Sequence, residues 1–164
     1  MKKILLASVI LLTLTTACKK TTSNYECNTE SPTKVAPDNE KAYLQTFLTA
    51  NNITATEKNG MFYTLSQGAG SSPNVCNNVT IDYVGNFING TTVGSQFDAS
   101  GAGQPVSFKL NGLILAWQTV LPLVKTGGTV TMYCPPTLAY GATASSSIPA
   151  NSYLKFIVSL RDVR

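Results

Sequence analysis

Val79-Thr80-Ile81-Asp82-Tyr83-Val84-Gly85 sets Val79, Ile81 and Tyr83 in alternation with Thr80, Asp82 and Val84. Successive side chains of a strand point to opposite faces, so this spacing predicts a β-strand with one apolar face. The same period recurs on both sides of it. Met61, Tyr63 and Leu65 alternate with Phe62, Thr64 and Ser66, and Val106, Phe108 and Leu110 alternate again. Near the C-terminus Leu154, Phe156, Val158 and Leu160 face one way. In Val130-Thr131-Met132-Tyr133-Cys134 the residues Val130, Met132 and Cys134 share a face, which predicts Cys134 to be a buried core thiol. Polar residues between the apolar ones predict an antiparallel sheet with one covered face.

Two segments carry helical spacing instead. Asp38 offers an N-cap, and Tyr43, Leu44, Phe47 and Leu48 recur at helical intervals up to Asn51 and Asn52. A helix of about three turns is predicted there, expected to pack against the sheet, with contact to a partner as the alternative. Leu113 to Val124 is a second apolar run with the length of a short helix, interrupted by Pro122 and stopped by Gly127-Gly128. One short helix against one curved antiparallel sheet is an α+β plan. No internal repeat or second domain is apparent.

The front of the chain reads as an address. Lys2 and Lys3 precede the apolar run Ile4 to Leu14, which is too short to span a bilayer and has the layout of a secretory signal. Leu14-Thr15-Thr16-Ala17-Cys18 resembles a bacterial lipobox, in which the cysteine is acylated and becomes the new N-terminus; Thr15 stands where an aliphatic residue is usual. Ordinary cleavage with Cys18 as a plain cysteine is the alternative. The expected organisation is a signal peptide over 1–17, a lipidated Cys18 and flexible tether over 18–37, an N-terminal helix and connector over 38–60, and the folded domain over 61–164. The tether is rich in Thr, Ser, Asn, Lys and Pro, a composition that cannot bury a core. The expected location is the cell envelope, with the lipid anchor on a membrane at its periplasmic or outer-membrane face. Export permits disulfides, and Cys27 and Cys76, both in polar surroundings, are expected to pair and staple the tether to the domain.

Composition removes several function classes. The chain has no histidine, and charged residues make up 12% of it. A Ser-His-Asp or Cys-His arrangement is therefore impossible, as is a histidine zinc site. No metal and no cofactor are expected. Without Lys2 and Lys3 the net charge falls from +4 to +2 and no basic patch stands out, which argues against nucleic acid as a partner. Shape, apolar surface and a few hydroxyls remain as the working materials.

The order of local motifs is more specific than any one of them. Val79 to Gly85 is followed by Asn89-Gly90, Phe97-Asp98-Ala99-Ser100, Val106-Ser107-Phe108-Lys109-Leu110 and Ile114-Leu115-Ala116-Trp117. Leu138-Ala139-Tyr140-Gly141, Ile148-Pro149-Ala150-Asn151-Ser152 and Phe156 complete the series. From about Met61 to Val163 this resembles the FKBP-type peptidyl-prolyl cis/trans isomerases, the immunophilin family that binds macrolides. The resemblance implies a curved antiparallel half-barrel wrapped around one short helix, with an extra N-terminal helix here. It implies that Trp117 forms a pocket floor, that Tyr83, Phe97 and Phe156 form aromatic walls for a proline ring, and that Asp98 and Tyr140 supply a carboxylate and a hydroxyl. Leu113, Ile114 and Ile148 would be aliphatic lining, with the Ile114 backbone N–H available to a substrate carbonyl. Val106, where many active relatives carry an aromatic, would lie at the same substrate-binding wall. The implied partners are proline-containing unfolded or partly folded polypeptides, with macrolides as a further ligand class and the membrane reached through the lipid anchor.

Each of these residues also has an ordinary role open to it. Trp117, Phe97 and Phe156 are the kind of residues that fill cores, and Asp98 is suited to capping a turn. Several positions depart from the family pattern. Leu115-Ala116 replaces Pro-Gly, Ala150 replaces a second proline, no arginine follows Asp98, and the segment before Phe97 is longer. Val106, without the aromatic, and Ala150 motivate a second reading, a weakly active or inactive chaperone or binding lipoprotein of the same fold. An adhesion or ligand-carrying lipoprotein is a third.

Overall fold

The computed structural model describes residues 27–164, so the expected signal segment, Cys18 and the first part of the tether lie outside the described residues. Helix α1 (Asp38–Ala50) leads to β1 (Thr56–Lys58), β2 (Met61–Ser66), β3 (Asn78–Asn89), β4 (Thr92–Ala99) and β5 (Val106–Lys109). A short helix α2 (Leu115–Val120), β6 (Thr129–Cys134) and β7 (Tyr153–Val163) follow. The strands form one sheet in the order β1-β2-β6-β7-β3-β4, and β5 pairs with β3 off that path. Every pairing is antiparallel. β3 is long enough to divide its free edge, holding β5 over residues 78–81 and β4 over 84–89. That division lets the sheet curl around α2.

The expected α+β architecture is present, and the sheet has more than one covered face. The inner face of the curve packs Val79, Ile81, Val130, Met132, Leu154, Val158 and Leu160 against Ala116, Trp117 and Val120 of α2. Phe62, Ile88 and Tyr133 point the other way and pack against Leu44, Phe47 and Leu48 of α1. Period two shows which residues share a face; it does not show that a helix from upstream covers the second one. Cys134 is fully buried on the inner face, and burial pushes its thiol pKa up.

Local chemistry accounts for where the helices stop. Pro37, rather than Asp38, occupies the N-cap of α1, and Asp38 and Glu40 lie in the first turn, where negative charge complements the helix dipole. At the other end Asn52 takes a left-handed φ of 54°, while Asn52 and Ile53 donate to the carbonyls of Thr49 and Leu48. Those bonds close the helix in a Schellman turn. The predicted helix over 113–124 contracts to Leu115–Val120, because Ile114 is extended and Pro122 enters a single 3-10 turn over Leu121–Leu123. Asn59-Gly60, both at positive φ, makes the two-residue turn between β1 and β2, so part of the expected connector belongs to the sheet.

The segment 27–37, expected to be flexible tether stapled at Cys27, is held on the domain at further points as well. Ala36 is buried and donates its N–H to Asn59 O at 2.9 Å, and Asn59 Nδ2 donates to Pro32 O at 3.0 Å. Cys27 and Cys76 are joined by a disulfide, with 5.8 Å between their Cα atoms. This strap is therefore tied to the β1–β2 turn and to the loop before β3 ahead of α1.

α1 is fastened to the parts of the sheet that lead to the site. Glu40 accepts from the N–H and hydroxyl of Thr137 at 3.0 and 2.7 Å, three residues before Tyr140. Tyr43 Oη donates to Ile88 O at 3.4 Å and accepts from Gly90 N at 2.6 Å, and Asn51 Nδ2 donates to Thr91 O at 2.9 Å. Both contacts reach the β3–β4 hairpin.

Candidate active site

Tyr83 of β3, Trp117 of α2 and Phe156 of β7 come from three distant stretches of chain and meet over the inner face of the sheet. Trp117 stands edge-on to Tyr83 at 5.5 Å between ring centroids and to Phe156 at 5.2 Å. Offset and edge-to-face contacts of this kind suit aromatic quadrupoles and leave an open corner between the rings. The corner is a hollow of about 250 Å³, lined in addition by Asp98, Phe108, Gly112, Leu113, Ile114 and Tyr140. Trp117 is nearly buried, and its indole Nε1 finds no hydrogen-bond partner among the described residues.

Not every residue expected at the site lines this hollow. Phe97 stands behind it, 5.6 Å from Phe156 and 4.9 Å from Phe87. Gly85 makes that packing possible: a Cβ there would fall 2.7 Å from Phe97 Cζ and 3.0 Å from Phe156 Cε1. Ile148 is buried in the same core cluster but contributes no lining surface. Val106 is a correction. It is exposed on the short edge strand β5, with no element folded over it, and the wall is formed two residues on by Phe108. Phe108 lies edge-on to Tyr83 at 6.2 Å. Its place on the Val106 face was readable from the alternation; its role as a wall was not assigned.

The rim is polar. Asp98 Oδ2 accepts from the Tyr83 hydroxyl at 2.8 Å, while Oδ1 accepts from Ala99 N at 2.9 Å. Asp98, near the end of β4, thus holds the N–H of the next residue and orients Tyr83 as well. Burial, then the hydrogen bond and charge of Asp98, push the Tyr83 phenol from about 10 up to about 12. Burial also raises the Tyr140 phenol, with Asp98 and Cys134 adding to it. Both hydroxyls therefore stay protonated, as donors, throughout the neutral range.

The sign of the linkage follows. An unfolded chain releases the Tyr83 proton near pH 10, whereas the folded chain keeps it to about 12. Between those values the unfolded state binds fewer protons, so this contribution is complete below pH 10 and is lost as pH rises to about 12. Asp98→Asn is expected to lower the Tyr83 titration midpoint, read from phenolate absorbance against a Tyr83→Phe reference. An unmoved midpoint would separate the two groups.

The aliphatic rim is held by a residue that sequence reading passed over. Gln118 Nε2 donates to Leu113 O at 2.6 Å and to Asn111 O at 3.3 Å, tying the loop before α2 to the helix. Ile114, extended at φ −60° and ψ 151°, accepts from Trp117 N and Gln118 N through its carbonyl. Its own N–H donates to no acceptor among the described residues. The arrangement offers a ring-sized apolar hollow, one unspent backbone donor and two phenols, with no nucleophile or metal-binding cluster among the described lining residues.

Residues 70–161 match the family model described as FKBP-type peptidyl-prolyl cis-trans isomerase. The chain is 35% identical over 135 residues to the FKBP-type peptidyl-prolyl cis-trans isomerase FkpA of Escherichia coli (strain K12), covering 80% of this chain and 48% of that one. It is 40% identical over 123 residues to the peptidyl-prolyl cis-trans isomerase Mip of Coxiella burnetii, covering 72% of this chain and 52% of that one. The chain thus spans about half the length of these curated relatives. Among solved structures, that of Escherichia coli FkpA superposes with a TM-score of 0.66 at 35% identity, over 77% of this chain and 58% of that one. A peptidyl-prolyl cis-trans isomerase from Pseudomonas syringae superposes with a TM-score of 0.63 at 26% identity, over 80% and 98%.

Proposed function

Because the chain belongs to the FKBP-type peptidyl-prolyl cis-trans isomerase family, we propose that its aromatic hollow catalyses cis/trans isomerisation of X-Pro bonds in unfolded or partly folded polypeptides. The observation that carries this reading is the convergence of Tyr83, Phe108, Trp117 and Phe156 on one hollow beside the unspent Ile114 N–H. At about 250 Å³ it falls just below the ~300–1,000 Å³ usual for drug-sized ligands, a scale that suits a single pyrrolidine ring. A macrolide would seat only a part of itself there.

The reaction asks for little beyond such a hollow. Rotation about the bond meets a barrier of ~18–20 kcal/mol because the planar amide is conjugated. The twisted amide has lost that conjugation; its nitrogen is pyramidal and its carbonyl less polar. A dry aromatic site favours the twisted form over the planar one, which is differential binding of the transition state. Each thousandfold of acceleration requires ~4 kcal/mol of that preference. In the proposed complex the proline ring lies against Trp117 between Tyr83, Phe108 and Phe156. The Ile114 N–H holds a substrate carbonyl, and Asp98 keeps Tyr83 in place at the rim.

Phe108 also bears on the alternative of a weakly active or inactive binding module. The departures at Val106 and Ala150 motivated that alternative, and Phe108 supplies an aromatic wall where Val106 does not. The cellular part of the proposal is assistance to exported proteins from a lipid anchor at Cys18. It rests on the charged, apolar and small-residue order of residues 2–18, and a Cys18→Ser chain found in the membrane fraction as before would overturn it.

The direct test follows cis-to-trans conversion of a short X-Pro peptide with and without the protein. Acceleration that drops at least tenfold in Asp98→Val, with the melting profile kept, is expected. No acceleration by the wild-type chain would leave only the binding-module reading.

A further inference from the structure

The Ile114 N–H on which the proposed reaction relies belongs to a peptide group whose other end is held by Gln118. A peptide unit is planar and trans, so the Leu113 carbonyl and the Ile114 N–H point in opposite directions from one rigid plate. Gln118 Nε2 donates to Leu113 O at 2.6 Å, which fixes the far edge of that plate. It also donates to Asn111 O at 3.3 Å. Both oxygens are backbone carbonyls, which only accept, so the amide nitrogen and not the amide oxygen of Gln118 is turned toward them.

Gln118 holds the same stretch a second time. Its backbone N–H donates to Ile114 O at 3.2 Å, Trp117 N donates there at 3.0 Å, and Leu113 N donates to Leu110 O at 3.1 Å. Among the described residues, every backbone polar group of Leu113 and Ile114 is thus partnered except the Ile114 N–H. Without the side-chain bond the Leu113 carbonyl would be free to turn, and the N–H would turn with it. Gln118 itself stands outside the aromatic hollow. Leu113, Ile114 and Trp117 line that hollow, whereas Gln118 lies beside Cys27, Glu30 and Asn111 on another surface. Its route to the substrate runs through the peptide plate.

We propose that Gln118 is a positioning residue for isomerisation, holding the Leu113–Ile114 peptide plane so that the Ile114 N–H meets a substrate carbonyl. This rests on the isomerase reading of the hollow. Two effects act together. The bond to Leu113 O sets the direction of the N–H before substrate arrives, so binding carries no cost of ordering it. Donation to the carbonyl of an amide also polarises that amide's N–H, and hydrogen bonds linked in this way strengthen one another.

The donor can be deleted with little change of backbone. Ile114 has φ −60°, the value proline imposes, and Leu113 at φ −93° and ψ 174° is extended, as a residue before proline must be. Ile114→Pro therefore removes an N–H that has no partner among the described residues. Gln118→Met keeps the side chain's length and removes its donor. Values of kcat/KM on a short X-Pro peptide are compared for the wild type, both single variants and the double variant. Gln118→Met is expected to lose about tenfold, the size of one net hydrogen bond, and Ile114→Pro at least as much. In the Ile114→Pro background the same Gln118→Met change is expected to cost less than about threefold, because the donor it acts on is gone. A larger cost there, as a tie with only a structural role would give, overturns the inference, and so does a wild-type rate in either single variant. Gln118→Glu decides the matter if Gln118→Met folds poorly. An ionised carboxylate has no proton to donate, and a protonated one does. Its rate is taken as a ratio to the wild type at each pH, so that titration of Glu30 and Asp98 cancels. That ratio is expected to be down about tenfold near neutral pH and to recover toward one at about pH 4. A ratio that does not change with pH overturns the inference. Absence of turnover by the wild-type chain refutes the isomerase reading and this inference with it, whereas turnover with additive losses refutes this inference alone.

Discussion

Phe156→Ala is expected to abolish measurable isomerisation and to lower stability by about 3–5 kcal/mol. Phe156 is almost fully buried in the middle of β7, opposite Gly85 of β3 and Met132 of β6. Its ring meets Trp117 and Phe97 edge-on at 5.2 and 5.6 Å, so it separates the floor of the hollow from the ring behind it. Alanine would leave a cavity bounded by two large rings, and a core relaxes into such a space only in part. Whatever relaxation occurs moves Trp117 or Phe97 toward the gap and spoils the corner that receives proline.

Phe156→Leu separates the two effects. It keeps most of the volume and is expected to cost no more than about 1.5 kcal/mol. It nevertheless removes the ring edges that set the angle of Trp117, and the isomerisation rate is expected to fall about tenfold. Denaturant melts and rates on the same samples check both numbers. Full activity in Phe156→Leu would make Phe156 a core residue with no share in the chemistry.

The parts of the fold legible in the sequence were those whose local period matches their burial. β2, β3, β6 and β7 each carry inward residues at every second position, and the structure pairs them in one antiparallel sheet. β4 was not legible. Thr92-Val93-Gly94-Ser95-Gln96 has no apolar alternation, being an edge strand largely exposed on both faces, and it is a strand because β3 offers it a ladder. The covering of the outer face by α1 is likewise a long-range fact. Phe62 and Tyr133 read as residues pointing away from the core until Leu44, Phe47 and Leu48 are placed against them.

The same division holds for the site. Tyr83 and Phe156 were fixed to the inner face by period alone, whereas their roles came from the family resemblance. Phe108 shares its face with Val106, and only the three-dimensional course of β5 shows that the inner of the two forms the wall. Phe87 was hidden for another reason. Alternation from Val79 runs through Tyr83 and Gly85 to Phe87, but the glycine interrupts the apolar pattern where the rings of Phe97 and Phe156 need room. Gln118 gave no signal, since its hydrogen bonds to Asn111 O and Leu113 O depend on how the loop before α2 turns back.

Replacing both bridging cysteines, Cys27→Ser with Cys76→Ser, is expected to lower stability by about 2–4 kcal/mol, through the entropy returned to the unfolded chain. The bridge spans 49 residues, including α1, β1 and β2, so its removal frees a long loop in the denatured state. In the folded state the strap keeps two ties, Ala36 N to Asn59 O and Asn59 Nδ2 to Pro32 O. These are single hydrogen bonds, each worth about 1 kcal/mol net, and they do not replace a covalent link. A fall in melting temperature of roughly 5–15 °C is expected for a domain of this size. The effect on catalysis is expected to be much smaller. Among the described residues Cys27 is linked toward the site through Asn111, whose side-chain amide donates to its sulfur at 3.2 Å, while Gln118 holds Asn111 and Leu113 from the helix side. The rate on a short X-Pro peptide below the melting range is therefore expected to stay within about threefold. Equal melting temperatures for the wild-type and double-variant chains would show that the strap contributes no stability. A large loss of rate at unchanged stability would show instead that the bridge positions the Leu113–Ile114 rim.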